Sequence, residues 1–293
     1  MKIKKVIIPA AGWGTRFLPL TKSIHKELVP ILNKPAISYL VDECVEAGIT
    51  EIVLVISPRK NEVVDYFKIY DLLEEELIAK NKNQLLELVK KTNKEKFIRV
   101  VYQNEQLGLG HAIAVASEII NNEPFGIILG DDLIYNKDKP AIKQLIDEFE
   151  KKHSSIIGVA DVEKENVNQY GIVIPKNNEQ KNDKIFEISG AVEKPEVKNA
   201  PSNKAIIGRY VFTPEILNIL KNIKPTVNNE IQLVDAFDQL MKSQKIYAYQ
   251  LDGIRYDLGS IEGFVKANID YSIREEKIKD SILKHIENII KKK

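Results

Sequence analysis

Cysteine is nearly absent from this chain: Cys44 stands alone, so no internal disulfide can staple the fold, which fits a reducing compartment. Cys44 lies in an apolar helical pattern with no histidine beside it, and is expected to be a buried structural thiol rather than a nucleophile. Long apolar runs are missing too. Nothing approaches the ~18 residues of a membrane span, and the strand-like N-terminus has no signal-type apolar region. A cytoplasmic protein is expected. Nor is there a surplus of either charge: 43 Lys and Arg face 42 Asp and Glu, a net charge of +1. No overall field argues for binding nucleic acid or a membrane. Two nucleotide signatures are also lacking. The dinucleotide fingerprint fails because Phe17 stands where its third glycine should be, and no Gly-Lys-Ser/Thr completes a P-loop.

What is present is an ordinary globular composition, 44% hydrophobic and 29% charged, in 293 residues. That is ample chain for a core. Val6–Ile8, Glu51–Ile56, Phe97–Gln103 and Phe125–Leu129 read as buried strands. A helix is expected over Ala36–Ala47, with Pro35 at its start and Gly48 closing it. The Lys/Asn/Glu-rich stretch 61–96 carries apolar residues at helical spacing and reads as a surface excursion of helices. This alternation predicts an α/β fold with a mostly parallel sheet flanked by helices. After residue 153 the strands come closer together (Ser155–Val162, Tyr170–Ile174, Ile185–Lys194, Ala205–Phe212), which adds mixed and antiparallel pairing. Helices are expected over Thr213–Asn222, Glu230–Lys242 and from Ser260 onward, and a strand over Ile246–Leu251. An apolar stripe at Ile278, Ile282, Ile286 and Ile290 marks the last helix. With no repeat or low-complexity linker, one domain spanning 1–293 is expected: a nucleotide-binding half (1–153), a second half (154–259) and C-terminal helices (260–293).

The segment 9–27 is the most informative. Ala10 and Ala11 lead into Gly12-Trp13-Gly14-Thr15-Arg16, and Lys22 and Lys26 follow. Glycines without a Cβ let backbone N–H groups close on phosphate oxygens, and Arg16, Lys22 and Lys26 add cations over the same few ångströms. Leu129-Gly130-Asp131-Asp132 closes the fourth strand. Ligands of open parallel sheets sit at such strand ends. Carboxylates there make sense beside phosphate if Mg²⁺, which favours one or two carboxylates plus phosphate oxygens, stands between. Asp257 offers a second carboxylate at another strand end. Gln103, with donors and an acceptor, suits a base edge, and Gly108 would allow close approach. His111 is expected to pack or cap. Glu193 and Lys194 could take sugar hydroxyls and a phosphate. Gly171 and Gly208 interrupt strands where a ligand comes near.

These motifs, in this order, resemble the sugar-nucleotide pyrophosphorylases. The likeness rests on Gly-x-Gly-Thr-Arg with Lys22 and Lys26, Leu-Gly-Asp-Asp, Gly108-Leu109-Gly110-His111-Ala112, Val192-Glu193-Lys194-Pro195, Gly208-Arg209-Tyr210-Val211 and Glu230-Ile231-Gln232-Leu233. It runs from Lys5 to about Asn268, and is strongest toward the bacterial members that act on UTP and glucose 1-phosphate. The resemblance implies a Rossmann-like mixed sheet of the nucleotide-diphospho-sugar transferase type. It also implies that glucose 1-phosphate attacks the α-phosphate of UTP, with Mg²⁺ as cofactor. By similarity, Arg16, Lys26 and Asp131 carry catalysis, and Asp131 and Asp257 hold the metal. Ala10, Ala11, Gly12, Gly14, Thr15, Gln103 and Gly108 bind the nucleotide; Gly171, Glu193, Lys194 and Gly208 bind the sugar phosphate. A homo-oligomer is implied as well. One departure is His25, where the family usually has proline, and a local backbone adjustment is expected there. The readings left open are a thymidylyl- or other nucleotidyltransferase on glucose 1-phosphate and a non-catalytic nucleotide-sugar-binding regulator. A nicotinamide-dependent oxidoreductase is disfavoured by the missing third glycine.

Overall fold

The computed structural model describes residues 2–177, 183–225 and 229–292. Its strands are β1 (Lys5–Pro9), β2 (Pro30–Ile31), β3 (Lys34–Pro35), β4 (Glu51–Ile56), β5 (Ile98–Tyr102), β6 (Phe125–Ile128), β7 (Asp132–Tyr135), β8 (Ser155–Asp161), β9 (Gly171–Pro175), β10 (Ile185–Glu193), β11 (Lys204–Phe212), β12 (Ile246–Gln250) and β13 (Ile254–Asp257). Among the described residues nine of these form one sheet in the order β5-β4-β1-β6-β11-β8-β12-β10-β9. The first half pairs in parallel, β5 with β4, β4 with β1 and β1 with β6. β11 then runs antiparallel to both β6 and β8, and β10 antiparallel to β12 and β9, while β12 and β8 are parallel. Both halves of the chain thus build one mixed sheet.

The centre of the sheet is buried on both faces because β1, β4 and β6 are apolar at nearly every position. Alternation sends Val6 and Ile8, with Ile52, Leu54 and Ile56, into one core, and Ile7, Val53 and Val55 into the other. Two helices cover the first core: α1 (Ala36–Glu46), through Ile37, Leu40, Val41 and Cys44, and α7 (Ala141–Lys152), through Ile142, Leu145 and Phe149. The second core lies under α5 (Gly108–Ala114), α6 (Ser117–Ile120), α8 (Glu215–Asn222) and α9 (Phe237–Leu240). Cys44 is fully buried, and burial raises its thiol pKa, as an inert core cysteine requires. Pro35 caps α1, and Gly48, at φ +83°, follows its end. The charged excursion forms α2 (Asn61–Asp65), α3 (Asp71–Ala79) and α4 (Asn83–Lys90).

Arg209 of β11 is wholly buried and holds Glu43 of α1 through Nε (2.9 Å) and Nη2 (2.7 Å), with a further bond to the Asp132 carbonyl at 3.0 Å. Glu43 also accepts from the Ile142 N–H at the start of α7. A buried charge with partners on every side is a fixed joint, and this one braces the corner that carries Asp131.

The expected helix over Glu230–Lys242 is a correction. Glu230–Leu233 is not helical, and helical turns begin only at Val234. The Ile231 N–H donates to the Leu107 carbonyl and its carbonyl accepts from the Gly110 N–H, both at 2.8 Å. Those backbone groups are therefore spent outside any helix. The chain ends in α10 (Ile261–Arg274), capped by the Ser260 hydroxyl accepting from the Gly263 N–H, and α11 (Lys279–Ile290). The apolar stripe of α11 is only half-covered, and Ile290 is exposed. No described helix is long and apolar enough to cross a membrane.

Candidate active site

Two cavities open at the carboxyl ends of the parallel strands, where an open sheet presents its ligand crevice. The smaller, about 310 Å³, is lined by Ala11, Gly12, Lys26, Gln103, Gln106, Gly108 and Glu230 among others. The larger, about 670 Å³, is lined by Arg16, Gly171, Glu193, Lys194, Arg255 and Asp257 among others. Leu109, Leu129 and Asp131 belong to both, so Asp131 stands on the wall they share.

The loop after β1 is set up as an anion site. Ala10 donates to the Val55 carbonyl, and its own carbonyl and that of Gly12 accept from Lys60 Nζ at 2.8 and 2.6 Å. The Ala11 carbonyl accepts from Gln106 Nε2 at 3.0 Å. The N–H groups of Ala11, Gly12, Trp13 and Gly14 meet no acceptor among the described residues. At Gly12 a Cβ would touch nothing within 4 Å, so the space beside it is open. Gly14, at φ +69°, serves the packing of the loop instead. Its Cβ would lie 3.0 Å from Lys26 Cβ, and its carbonyl accepts from the Thr21 hydroxyl at 2.8 Å. Ala10 is buried, and Ala10, Gly14 and Thr15 lie outside both cavity linings, so they shape the loop from behind. Arg16, Lys22 and Lys26 form no ion pair among the described residues. Arg16 reaches the larger cavity and Lys26 the smaller, whereas Lys22 reaches neither. The expected adjustment at His25 is a correction. Its φ of −63° is the value a proline would impose, and its imidazole contacts Glu62 at 3.2 Å.

The carboxylates are assembled by a two-stranded ribbon. β13 pairs antiparallel with β7, setting Asp257 opposite Asp132, and the Leu258 N–H donates to the Asp131 carbonyl at 2.7 Å. Asp257 Oδ1 accepts from the Gly259 N–H at 2.9 Å, so it shapes its turn as well as facing the cavity. A Cβ on Gly259 would lie 2.6 Å from Arg16 Nη1, 3.0 Å from Asp257 Oδ1 and 3.4 Å from Asp131 Oδ2. Three charged groups from distant parts of the sequence therefore meet around one glycine. Asp132 is the structural member of its pair. It binds Arg255 through Nε (2.6 Å) and Nη2 (2.5 Å), and Arg255 lies 4.8 Å over the Tyr170 ring. Burial, opposed by Arg255 and reinforced by the Asp131 charge, pushes Asp132 up to about 6.

Asp131 and Asp257 fit a hard divalent cation, since two carboxylates facing one spot leave positions for water and phosphate oxygens. No group of three or more His, Cys, Asp and Glu side chains disposed to hold a metal occurs among the described residues. An ion here would take the rest of its shell from substrate.

In the larger cavity Glu193 Oε2 lies 3.1 Å from where a Gly171 Cβ would stand, so any larger residue there would make that carboxylate shift by a few tenths of an ångström. Burial raises the Glu193 pKa against the pull of Lys194, whose Nζ is 3.7 Å away. Lys194 adopts φ +46°, a strained value for a side-chain-bearing residue, held by its N–H donating to the Tyr170 carbonyl. Gly208 is a correction. It lies outside both linings, and at φ +61° its Cβ position is taken by Asp132 Oδ2 at 2.5 Å. Gly108 does line the smaller cavity. Its φ of +90° and a Cβ position 2.9 Å from both Glu230 Cβ and the Ile231 carbonyl show that packing against 230–231 also demands glycine. Gln103 is buried, with Nε2 on the Gly108 carbonyl (3.2 Å) and His111 Nδ1 (3.0 Å). Sequence reasoning missed Lys60, Gln106 and Arg255 as members of this region. The position of Lys60 just past the end of β4, where the crevice opens, was the available signal.

A crevice with free N–H groups, unpaired cations and paired carboxylates is what transfer of a nucleotide between phosphates calls for. A family model described as nucleotidyl transferase matches residues 5–273, and the chain belongs to that family of enzymes. A relative from Staphylococcus haemolyticus, named UTP–glucose-1-phosphate uridylyltransferase, is 45% identical over 98% of this chain and 99% of its own length. The structure of a UTP-bound UGPase from Acinetobacter baumannii superposes with a TM-score of 0.89 at 35% identity, over 97% of this chain and 98% of that one. A UDP-glucose pyrophosphorylase complexed with UDP-glucose gives 0.83 at 41% identity, over 93% of this chain and all of the other.

Proposed function

We propose that this chain makes UDP-glucose and pyrophosphate from UTP and glucose 1-phosphate. The observation that carries the reading is Asp131 on the wall between two cavities, one bounded by a phosphate loop and the other by Glu193 and Lys194. An oxygen of the sugar phosphate bonds to the α-phosphorus as the bond from that phosphorus to the bridging oxygen breaks, and pyrophosphate leaves with the electron pair. The nucleophile is already an anion, so no general base is needed. Catalysis then consists of positioning and charge stabilisation.

In this reading Gly12 and its neighbours hold the triphosphate, Lys26 meets the reacting phosphates, and Arg16 stabilises the leaving pyrophosphate. Gln103, Gly108 and the Ala11 backbone bound the uracil, with Ala10 behind them. Glu193 accepts from glucose hydroxyls, Gly171 leaves the room for them, and Lys194 takes the sugar phosphate. Mg²⁺ is the cation we assign to this site; Asp131 and Asp257 would hold it, and it would supply neutralisation of phosphate charge. We further read the protein as a cytoplasmic homo-oligomer, the half-covered apolar faces of α10 and α11 supporting the second part.

The test is pyrophosphate release from glucose 1-phosphate with UTP, dTTP, ATP and CTP, each with and without Mg²⁺. Mg²⁺-dependent turnover preferring UTP is expected. Preference for dTTP would move the base specificity, and no turnover with any nucleotide would overturn the reading.

A further inference from the structure

Lys60 lines neither cavity, yet it touches more of the phosphate loop than any residue that does. Its ammonium is almost wholly buried and donates to the Ala10 carbonyl (2.8 Å), the Gly12 carbonyl (2.6 Å) and both carboxylate oxygens of Glu27 (3.0 and 2.9 Å). The Glu27 side chain is fully buried, and Lys60 is the one cation paired with it among the described residues. A peptide group is planar and trans, so the carbonyl of one residue and the N–H of the next point in opposite directions. Pinning the carbonyls of Ala10 and Gly12 on Lys60, and that of Ala11 on Gln106, therefore aims the N–H groups of Ala11, Gly12 and Trp13 away from those anchors. The loop has room for a ligand, because a Cβ at Gly12 would meet no atom within 4 Å.

Glu27 is also the sequence neighbour of Lys26, which forms no ion pair of its own. Burial lowers the Lys60 pKa, the Glu27 pairing opposes this, and the Lys26 charge lowers it further. Lys26 is the cation next to Glu27 along the chain.

We propose that Lys60 is a positioning residue for the transfer reaction: it orients the phosphate-binding N–H groups through the loop's carbonyls and, by occupying Glu27, keeps Lys26 free for the reacting phosphates. The inference rests on the reading of the smaller cavity as the nucleotide compartment. Nothing in it requires Lys60 to touch substrate.

Two variants test it. Lys60→Met strands a buried carboxylate, whereas Lys60→Met with Glu27→Met replaces the whole ion pair by apolar side chains, a change that buried pairs commonly tolerate. Folding is checked by thermal melt, and Kd is measured for UTP and, by competition, for uridine, which has the base and ribose but no phosphate. The expected result is a Kd for UTP at least tenfold higher in the double variant, with uridine binding changed less than twofold. In the single variant kcat should fall further than in the double, because the lone Glu27 captures Lys26. A merely structural role would weaken UTP and uridine together, and that outcome overturns the proposal. Unchanged UTP binding by the folded double variant would overturn it alone. No UTP binding by the wild-type chain would overturn the nucleotide reading as well.

Discussion

Among single residues, Glu193 shows how environment sets a role. Burial raises its pKa above the ordinary value of 4.5. Below that value both the folded and unfolded chains hold the proton, and Glu193 contributes nothing to pH dependence. As pH rises past it, the unfolded chain loses its proton first and is favoured, so stability falls until the folded pKa is passed. Glutamine carries no such cost. The melting temperature of wild type minus that of Glu193→Gln should therefore decrease above pH 4.5 and then level off; a difference flat with pH would mean that Glu193 titrates normally. In the assay the same variant should raise KM for glucose 1-phosphate roughly ten- to a hundredfold, the worth of a hydrogen bond to a charged acceptor. Arg16, Lys26, Asp131 and Glu193, singled out in the sequence for their side chains, all line the two cavities. Lys60 was not singled out, because its bonds to the loop go to the backbone carbonyls of Ala10 and Gly12, which leave no mark in a string of residue types. Gly208 misled for a related reason: a glycine required by a left-handed φ and by a neighbouring Asp132 looks the same in sequence as one required by a ligand.

Between elements, the contact of the α5 N-terminus with the 230–233 segment decides the shape of the nucleotide compartment. Gly110 donates to the Ile231 carbonyl, and its own Cβ position lies 2.5 Å from Ile231 Cγ2 and 2.8 Å from that carbonyl oxygen. Gly110→Ala must push the segment away, at a cost of about 1–3 kcal/mol as for other overpacked sites. Gly12→Ala meets no protein atom and should leave the melting temperature unchanged while weakening UTP binding, because its methyl group enters the open space beside the loop. Melting curves and UTP titrations on the pair check this, and equal loss of stability in both would refute it. Strands and their ends were readable because unbroken runs of Val and Ile have few other uses. The 230–242 stretch was misjudged because its apolar spacing is helical throughout. Ile231, near its start, is instead committed by backbone bonds to Leu107 and Gly110, far away in sequence.

Over the whole molecule, the antiparallel half extends the parallel half in a single sheet, and the crevice lies across both. One apolar stripe left uncovered lies on α10, where Ile261, Val265 and Ile269, spaced four apart, are exposed by 61, 48 and 42%. A second copy of the chain is the partner we assign to this face. Sedimentation of the wild type is expected to give a species heavier than the 33.3 kDa chain, and Val265→Lys, by putting a charge in the stripe, is expected to return it to monomer. A wild-type monomer at assay concentration would refute the homo-oligomer.

The β7–β13 ribbon has a consequence in time as well as in space. The phosphate loop, the Lys60 anchor and Asp131 all belong to the first half of the chain, whereas Asp257 comes after every strand of the large sheet and is placed only when β13 lies along β7. Chains are synthesised from the N-terminus. A nascent chain therefore holds every residue of its phosphate loop long before it owns both carboxylates, and in the proposed reaction it stays inert toward its substrates until synthesis has passed Asp257.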